Sequence, residues 1–256
     1  MIAAEALSET PPAPAATLIL LREREHAAPE LLMIRRGAAL AFAGDAWVFP
    51  GGRVDPADIL LAERIGGEDV DETAARIAAI RETIEEAGVA VGIVPPPAAP
   101  TLGRLRSGLA AGMPLAGLLA AEGLTLDLAG LEPFARWIPP GSAPRRFDTR
   151  FYLAAAPFDA SVEVDGSESV AACWISAEAM LARAAAGEAR VIFPTKCNLL
   201  RLAAFTSFDQ AVAAAASVPV EPVVTFRRQI GGEPHLCVEG HGYGTIAEPM
   251  HSLVRG

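Results

Sequence analysis

The sequence predicts an α/β fold, in which helices pack against a β-sheet. Short apolar segments with the composition of strands lie at residues 16–21, 30–35 and 151–156, and stretches with helical periodicity separate them. The chain has 256 residues, of which 52% are hydrophobic, and this is ample for a sizeable core. We therefore expect one large domain with appendages.

The net charge of −10 limits the partners of the protein. No basic stripe is present that would bind nucleic acid or an anionic membrane in general. The chain has three cysteines, which are far apart in the sequence: Cys173, Cys197 and Cys237. Their odd number and wide spacing do not fit a disulfide framework or a zinc site. A reduced, cytoplasmic setting is therefore predicted.

The first residues of the chain are rich in alanine, proline and small polar residues. Residues 1–15 lack the basic segment and apolar core of a signal peptide, so a disordered tail is expected. Folding is predicted to begin with the strand at 16–21, and Trp47 is expected in the core. The Arg35–Arg36 pair, which ends the second strand, either contacts substrate phosphates or only terminates the strand.

Residues 69–88 predict a helix with defined ends. Asp69 with Glu72 three positions later is typical of an N-cap, and Gly88 can adopt the left-handed conformation that ends a helix. One face is apolar and should be buried, because isoleucines recur on it at helical spacing: Ile77, Ile80 and Ile84. The acidic side chains of the other face are expected to point outward.

Glu82, Glu85 and Glu86 have the spacing that places three carboxylates on one face of this helix. Such close acids repel one another, and their ionised form is favoured only beside a cation or a basic side chain. Arg81 can reach Glu85, but one arginine does not neutralise three acids. Carboxylate oxygens on a rigid helix suit Mg²⁺ or Mn²⁺, which share their remaining positions with substrate phosphates. The pattern predicts phosphate chemistry, and the alternative is a solvated acidic surface.

A glycine pair upstream favours the first interpretation. Gly51 and Gly52 let the backbone approach a metal or a phosphate without a Cβ in the way. Together, F-P-G-G-R-V-D-x-x-D and R-E-T-I-E-E-A-G-V resemble the Nudix box, G-x5-E-x7-R-E-U-x-E-E-x-G-U with U apolar, of the Nudix hydrolase superfamily. The match departs at Thr83, where an apolar residue is usual, at Asp58, which replaces glutamate, and in the spacer before Arg81, which is longer than seven residues.

The longer spacer is itself a feature of one branch of this superfamily. With the segments at 42–48, 135–140 and 146–152, it resembles the branch of the peroxisomal coenzyme A diphosphatases and their bacterial relatives. The resemblance implies a Nudix fold, a mixed β-sheet sandwiched between α-helices, at residues 16–210. A helical insertion is expected at about 98–132, and a C-terminal extension, 211–256, is expected to pack on the domain.

The resemblance also implies roles for residues of the box. Glu85 and Glu86 are expected to bind metal with the carbonyl of Gly51, and Glu82 to bind metal or act as the general base. Arg81 would orient the carboxylates during catalysis. Two further residues would support the ligands without binding the ion: Gly52 and Asp58.

Outside the box, an additional metal ligand or base is expected from a loop, as in many Nudix enzymes. Glu168 is the first candidate and Asp165 the second, the alternative being surface acids. Arg146 and Arg150, beside the strand at 151–156, can clamp phosphate oxygens as Arg35 can, or form ion pairs with Asp148.

The remaining elements are predicted from local patterns. We expect a short helix after Asp58, a strand at 88–94, and a helix at 196–205 with Thr195 as its N-cap. A hairpin is expected at the glycines 231–232. The histidines near the C-terminus have no regular ligand spacing and are not a credible metal site.

The function that the resemblance implies is Mg²⁺- or Mn²⁺-dependent hydrolysis of the pyrophosphate bond in a nucleoside diphosphate linked to another moiety. Metal-activated water would attack phosphorus. Coenzyme A or acyl-coenzyme A is the leading substrate, with ADP-ribose and dinucleotides as alternatives, and a homodimer is the common state of the family. A different class, the non-catalytic nucleotide-sensing Nudix module, commonly loses box carboxylates, whereas all three helix glutamates are present here.

Overall fold

The structure, a computed structural model, describes residues 11–40, 43–139, 146–157, 159–164, 166 and 168–253. Residues 1–10 of the expected tail and the candidate Asp165 lie outside this part. The strands are β1 Ala13–Arg22, β2 Glu30–Arg36, β3 Ala46–Val48, β4 Gly51–Arg53, β5 Ile93–Val94, β6 Thr125–Leu126, β7 Glu132–Trp137, β8 Phe147–Ala155, β9 Ser169–Ser176, β10 Arg190–Val191, β11 Pro222–Val223, β12 Phe226–Ile230, β13 Glu233–Glu239 and β14 Thr245–Pro249. The helices are α1 Pro56–Ile65, α2 Val70–Ala87, α3 Ala99–Ala110, α4 Leu115–Glu122, α5 Ala177–Ala185, α6 Phe193–Leu202 and α7 Phe208–Ala216.

A mixed sheet forms the centre of the molecule, with the strand order β10-β3-β2-β1-β8-β7-β11. Strand β1 runs parallel to β8 and antiparallel to β2, and β4 and β9 add to β1 and β2 at the side of this path. The predicted α/β architecture with a mixed sheet is confirmed.

Helices cover both faces of the sheet because successive side chains of its central strand point in opposite directions. Leu18 and Leu20 of β1 belong to the apolar cluster under α2, α3 and α4, whereas Ile19 and Leu21 belong to the cluster under α5, α6 and α7. Each fully buried aliphatic side chain stabilises the folded state by roughly 1.5–3 kcal/mol. A shift of β1 by one residue would exchange its two faces, so this alternation fixes the register of the strand.

Two predictions about the N-terminal half are wrong. The tail ends earlier than expected, because residues 13–15 belong to β1, where Ala15 pairs with Arg53 of β4. The strand expected at 88–94 is reduced to β5, because Gly88 and Gly92 both have a positive φ and turn the chain away from an extended path.

The C-terminal half also departs from the sequence prediction in detail. Helix α6 begins at Phe193, with Ile192 as its N-cap and a proline in its first turn, so Thr195 is a buried residue inside the helix. Helix α7 was not predicted. The expected hairpin at 231–232 is present, since β12 and β13 pair on either side of these glycines and β14 completes a separate three-stranded sheet.

Helices α3 and α4 lie within residues 98–132, where a helical insertion is expected. The short helix expected after Asp58 is α1, which begins earlier, at Pro56, so Asp58 lies in its first turn. The C-terminal residues pack on the rest of the chain: β11 pairs with β7, and Tyr243 donates a hydrogen bond of 2.6 Å to Asn198 of α6. Among the described residues, no helix combines the length and the apolar character needed to cross a membrane.

Candidate active site

Helix α2 has the ends that the sequence predicts. The Asp69 side chain accepts a hydrogen bond of 2.8 Å from the amide of Glu72, and Gly88 ends the helix in the left-handed conformation. The predicted apolar face is confirmed, because its isoleucines are all fully buried: Ile77, Ile80 and Ile84. These contacts fix the rotation of α2, and with it the direction of the acidic face.

Strand β4 brings the glycine pair directly against that acidic face. A Cβ on Gly51 would lie 2.5 Å from the carbonyl oxygen of Ala16, so glycine is needed for β4 to lie this close to β1. A Cβ on Gly52 would overlap the carboxylate of Glu82. The absence of both side chains therefore gives Glu82 its place against the strand.

The acidic face does not point outward, and this expectation is wrong. The amide of Gly51 donates a hydrogen bond of 2.8 Å to Oε2 of Glu86, whose residue is only 4% exposed. Glu82 is partly buried beside it. The reason is that glycine leaves room for the carboxylates to lie under β4, where a larger residue would have displaced them.

Arg81 lies among four carboxylates, those of Asp55, Asp58, Glu82 and Glu85. Its Nη1 donates to Oε1 of Glu82 at 2.8 Å and to Oε1 of Glu85 at 3.2 Å, while Nε and Nη2 bind Asp58 at 3.0–3.3 Å. Nη2 also donates to the carbonyl of Arg53 at 2.8 Å. Asp58 is 1% exposed and binds Nε and Nη2 of Arg81, whereas the two glutamates bind Nη1. The structure thus joins Arg81 both to Asp58 and to two glutamates of the acidic face.

Burial raises the pKa of each glutamate of the acidic face. It raises the pKa of Glu82 to about 7, against the opposing effect of Arg81. Burial and the charge of Glu82 raise the pKa of Glu86 well above its usual range, although the Gly51 amide and Arg36 act in the other direction. The pKa of Glu85 is also raised, mainly by burial. Burial therefore disfavours the ionised form of these carboxylates as long as no cation lies among them.

The donor set has the chemistry that Mg²⁺ or Mn²⁺ requires. Carboxylate oxygens are the ligands of hard cations, and desolvated glutamates with raised pKa values gain most from a nearby positive charge. No group of three or more His, Cys, Asp or Glu side chains is already arranged to hold a metal ion in the described part of the chain. Arg81 occupies the space between the Oε1 atoms of Glu82 and Glu85 instead.

Glu168, a candidate for a further metal ligand or the general base, lies near Glu86 at the end of α2. Its carbonyl accepts a hydrogen bond of 2.8 Å from the amide of Gly37, directly after Arg36. The residue is exposed, and its charge contributes to the raised pKa of Glu86. The structure thus brings Glu168 within electrostatic reach of the acidic face.

Of the two adjacent arginines on β2, the structure brings the second to the site. Nη1 of Arg36 lies 3.6 Å from Oε1 of Glu86. Arg35 points elsewhere and binds Asp45 at 2.5 and 2.9 Å. Arg35, the expected phosphate contact, is thus not the arginine beside Glu86, because neighbouring side chains of a strand alternate and the register shifts between these two residues.

Arg150 of β8 and Arg146, the residue before this strand, have other partners. Arg150 binds Glu72 at 2.8 Å, in the first turn of α2, and ten residues of helix, about 15 Å, separate Glu72 from Glu82. Arg146 donates to the carbonyl of Pro139 at 3.5 Å. Asp148, expected to pair with one of them, binds Arg136 at 2.5 and 2.7 Å.

Sequence reasoning missed one residue at the end of α2. Arg106 of α3 donates from Nε to the carbonyl of Glu85 at 3.2 Å. Nothing in the sequence indicates this contact, because it joins the box to an insertion whose packing direction has no local signature.

Comparisons with known proteins agree with this geometry. The NUDIX domain family model matches residues 11–110. A crystal structure of a NUDIX hydrolase from Alicyclobacillus acidocaldarius is similar, with 32% sequence identity, a TM-score of 0.70, and coverage of 80% of this chain and 97% of that one.

Two curated relatives are more distant. "Putative nudix hydrolase 7" of Caenorhabditis elegans is 28% identical over 186 residues, with 70% of this chain and 57% of the relative covered. "Acyl-coenzyme A diphosphatase NUDT19" of Gallus gallus is 28% identical over 241 residues, with 70% and 62% covered. The chain thus spans about 60% of the length of these relatives. Because it covers nearly all of a solved NUDIX hydrolase at 32% identity, this chain belongs to the Nudix hydrolase superfamily.

Proposed function

We propose that this protein is a Mg²⁺- or Mn²⁺-dependent hydrolase that cleaves the pyrophosphate bond of a nucleoside diphosphate linked to another moiety. The observation that carries the proposal is the contact between the acidic face of α2 and the glycine strand β4, where Gly51 binds Glu86. Phosphate chemistry requires positive charge at this place. A divalent cation would stabilise the ionised form of the buried carboxylates, which burial alone disfavours.

Glu85 and Glu86 would hold the ion together with the carbonyl of Gly51. When bound, the ion would supply Lewis acidity toward phosphate oxygens and increase the acidity of water. Glu82 would either join these ligands or accept a proton from the attacking water. Arg81, fixed by Asp58, would keep Glu82 and Glu85 in their rotamers, because it binds one oxygen of each.

Arg36 replaces Arg35 as the proposed phosphate contact of β2. Its side chain is 17% exposed and lies beside Glu86, and its Nε is buried without a hydrogen-bond partner among the described residues. A guanidinium in this position can bind phosphate oxygens through two nitrogens. Arg146 and Arg150 remain weaker candidates, since they bind the carbonyl of Pro139 and the carboxylate of Glu72.

Glu82 and Glu168 are the two candidates for the general base. Glu82→Gln and Glu168→Gln should be compared in their dependence of kcat/KM on pH. Loss of the acidic limb of this profile in one variant, with metal affinity retained, identifies the base. If Glu168→Gln has the kinetics of the wild type, Glu168 is a surface residue.

Coenzyme A or acyl-coenzyme A is the proposed substrate, because one relative is named an acyl-coenzyme A diphosphatase. ADP-ribose and dinucleotides form the alternative class. We also propose a homodimer and a cytoplasmic location on the basis of the family resemblance and the unpaired cysteines.

A metal-dependent hydrolysis panel tests the proposal. Coenzyme A, an acyl-coenzyme A, ADP-ribose and a dinucleotide should each be incubated with Mg²⁺, with Mn²⁺ and with chelator, and the products identified by mass spectrometry. Release of adenosine 3′,5′-bisphosphate from coenzyme A would support the leading substrate. Absence of metal-dependent cleavage of every compound would contradict the proposed function.

A further inference from the structure

Arg106 joins three parts of the molecule at the end of the acidic helix. It lies on α3, between Leu105 and Leu109, which are 0% and 6% exposed and anchor this helix in the core. Its Nε donates to the carbonyl of Glu85 at 3.2 Å, and its Nη1 lies 3.5 Å from Oε2 of Glu163. The guanidinium is therefore held on a rigid element and directed at the last turn of α2.

The last turn of a helix has carbonyl groups without intrahelical partners and a partial negative charge. In α2, the amide of Gly88 satisfies the carbonyl of Ile84, and the amide of Glu163 satisfies that of Ala87, both at 3.0 Å. Arg106 satisfies the carbonyl of Glu85. The last turn of α2 contains no basic residue of its own, so Arg106 supplies the positive charge from another element.

Backbone hydrogen bonds attach both Glu163 and Glu168 to other parts of the chain. The amide of Glu163 donates to the carbonyl of Ala87, and the carbonyl of Glu168 accepts from the amide of Gly37. Arg106 lies against the first of these attachments. A displacement of the guanidinium would therefore affect both the helix end that carries Glu85 and Glu86 and the attachment of Glu163 to Ala87.

We propose that Arg106 is a positioning residue, which holds the end of α2 and the attachment of Glu163 to it in the geometry that the reaction needs. This inference rests on the proposed function, and it assigns to the helical insertion a role in the site. Arg106 itself does not contact the substrate in this account. It acts through the backbone of Glu85.

The test compares Arg106→Ala and Arg106→Lys with Arg104→Ala. Arg104 lies on the same helix, but it is exposed and binds Glu122. Hydrogen–deuterium exchange in metal-free protein should become faster at residues 85–89 and 163–169 in Arg106→Ala and remain unchanged in Arg104→Ala. This readout does not depend on turnover.

Kinetics provide the second readout. Arg106→Ala should lower kcat by about tenfold and leave KM for the substrate within about twofold, because reacting groups are misplaced while substrate contacts are retained. Arg106→Lys should restore part of kcat, since it keeps the charge at the helix end. If Arg106→Ala does not fold, Arg106→Lys is compared with Arg104→Lys in the same assays.

Exchange rates and kcat in the Arg106 variants equal to those of the Arg104 control would overturn the proposal. Absence of turnover in the wild-type protein would instead contradict the proposed function, and the exchange measurement would still decide whether Arg106 holds the end of α2.

Discussion

The amide of Gly51 and the carboxylate of Glu86, 35 positions apart in the sequence, are joined by a hydrogen bond of 2.8 Å. This bond connects the short strand β4 to the last turn of α2. It also explains why Glu86 is buried, since a carboxylate at this depth needs a donor. The glycine strand and the acidic helix therefore form one unit, and the predictions below concern its parts.

Glu86→Gln should lower kcat by at least about a hundredfold, because the neutral amide is a poor ligand for a hard cation. Its side-chain oxygen can still accept the hydrogen bond from Gly51, so the fold should be retained. Steady-state kinetics and circular dichroism of the purified variant check this, with the exposed Glu63→Gln as the control. Unchanged turnover would remove Glu86 from the mechanism.

Gly52→Ala should reduce both activity and stability, because its Cβ would overlap the Glu82 carboxylate. We expect a loss of about 1–3 kcal/mol in the free energy of unfolding, since backbone or Glu82 must shift. Gly117→Ala is the matched control: it lies in α4 with no atom near its Cβ position, so alanine should be neutral or slightly stabilising. Urea denaturation measures both, and equal effects would contradict the close packing of Glu82 on β4.

Arg36→Ala and Arg35→Ala should differ although the residues are neighbours. Loss of Arg36 removes a positive charge beside Glu86, and we expect KM for the substrate to rise by about tenfold. Loss of Arg35 breaks an exposed ion pair with Asp45, which contributes about 0–1 kcal/mol, and should leave the kinetics unchanged. A larger rise in KM for Arg35→Ala than for Arg36→Ala would instead support Arg35 as the phosphate contact, as expected from the sequence.

The stability of the metal-free protein should fall as the pH rises from about 4.5 to about 7. The pKa of Glu82 is raised to about 7 by burial, so in this window the folded state holds a proton that the unfolded chain has lost. The contribution of Glu82 to the free energy of unfolding is fully present below its pKa in the unfolded chain. It is lost as the pH rises through its pKa in the folded state, by roughly 3 kcal/mol. Glu82→Gln should flatten this dependence.

Thermal unfolding in chelator at several pH values measures the effect. Mn²⁺ should raise Tm more at pH 7.5 than at pH 5.5, because the ion favours the ionised carboxylates. A metal-free stability that rises across the window in the wild type, with no change in Glu82→Gln, would contradict the raised pKa.

Local sequence patterns predict the features that depend on one helix alone. The cap at Asp69, the stop at Gly88 and the buried isoleucines of α2 follow from helical geometry alone, and all three are confirmed. The pairing of the acidic face with the glycine strand was predicted by combining two motifs.

The features that the sequence does not predict depend on the packing of one element against another. The burial of Glu86 follows from the position of β4 over α2, and the exchange of Arg35 for Arg36 follows from a register shift in β2. Arg106 reaches α2 from an insertion, so no spacing in the sequence relates it to Glu85. These are tertiary relationships, for which a single chain has no periodic signal.

The central claim is that the carboxylates of α2 bind a divalent ion against the glycine strand. Titration of purified, metal-free protein with Mn²⁺, followed by electron paramagnetic resonance, tests it most directly. The account predicts saturable binding by the wild type and at least about tenfold weaker binding by Glu86→Gln. Absence of binding by the wild type, or equal affinity in both proteins, would contradict it.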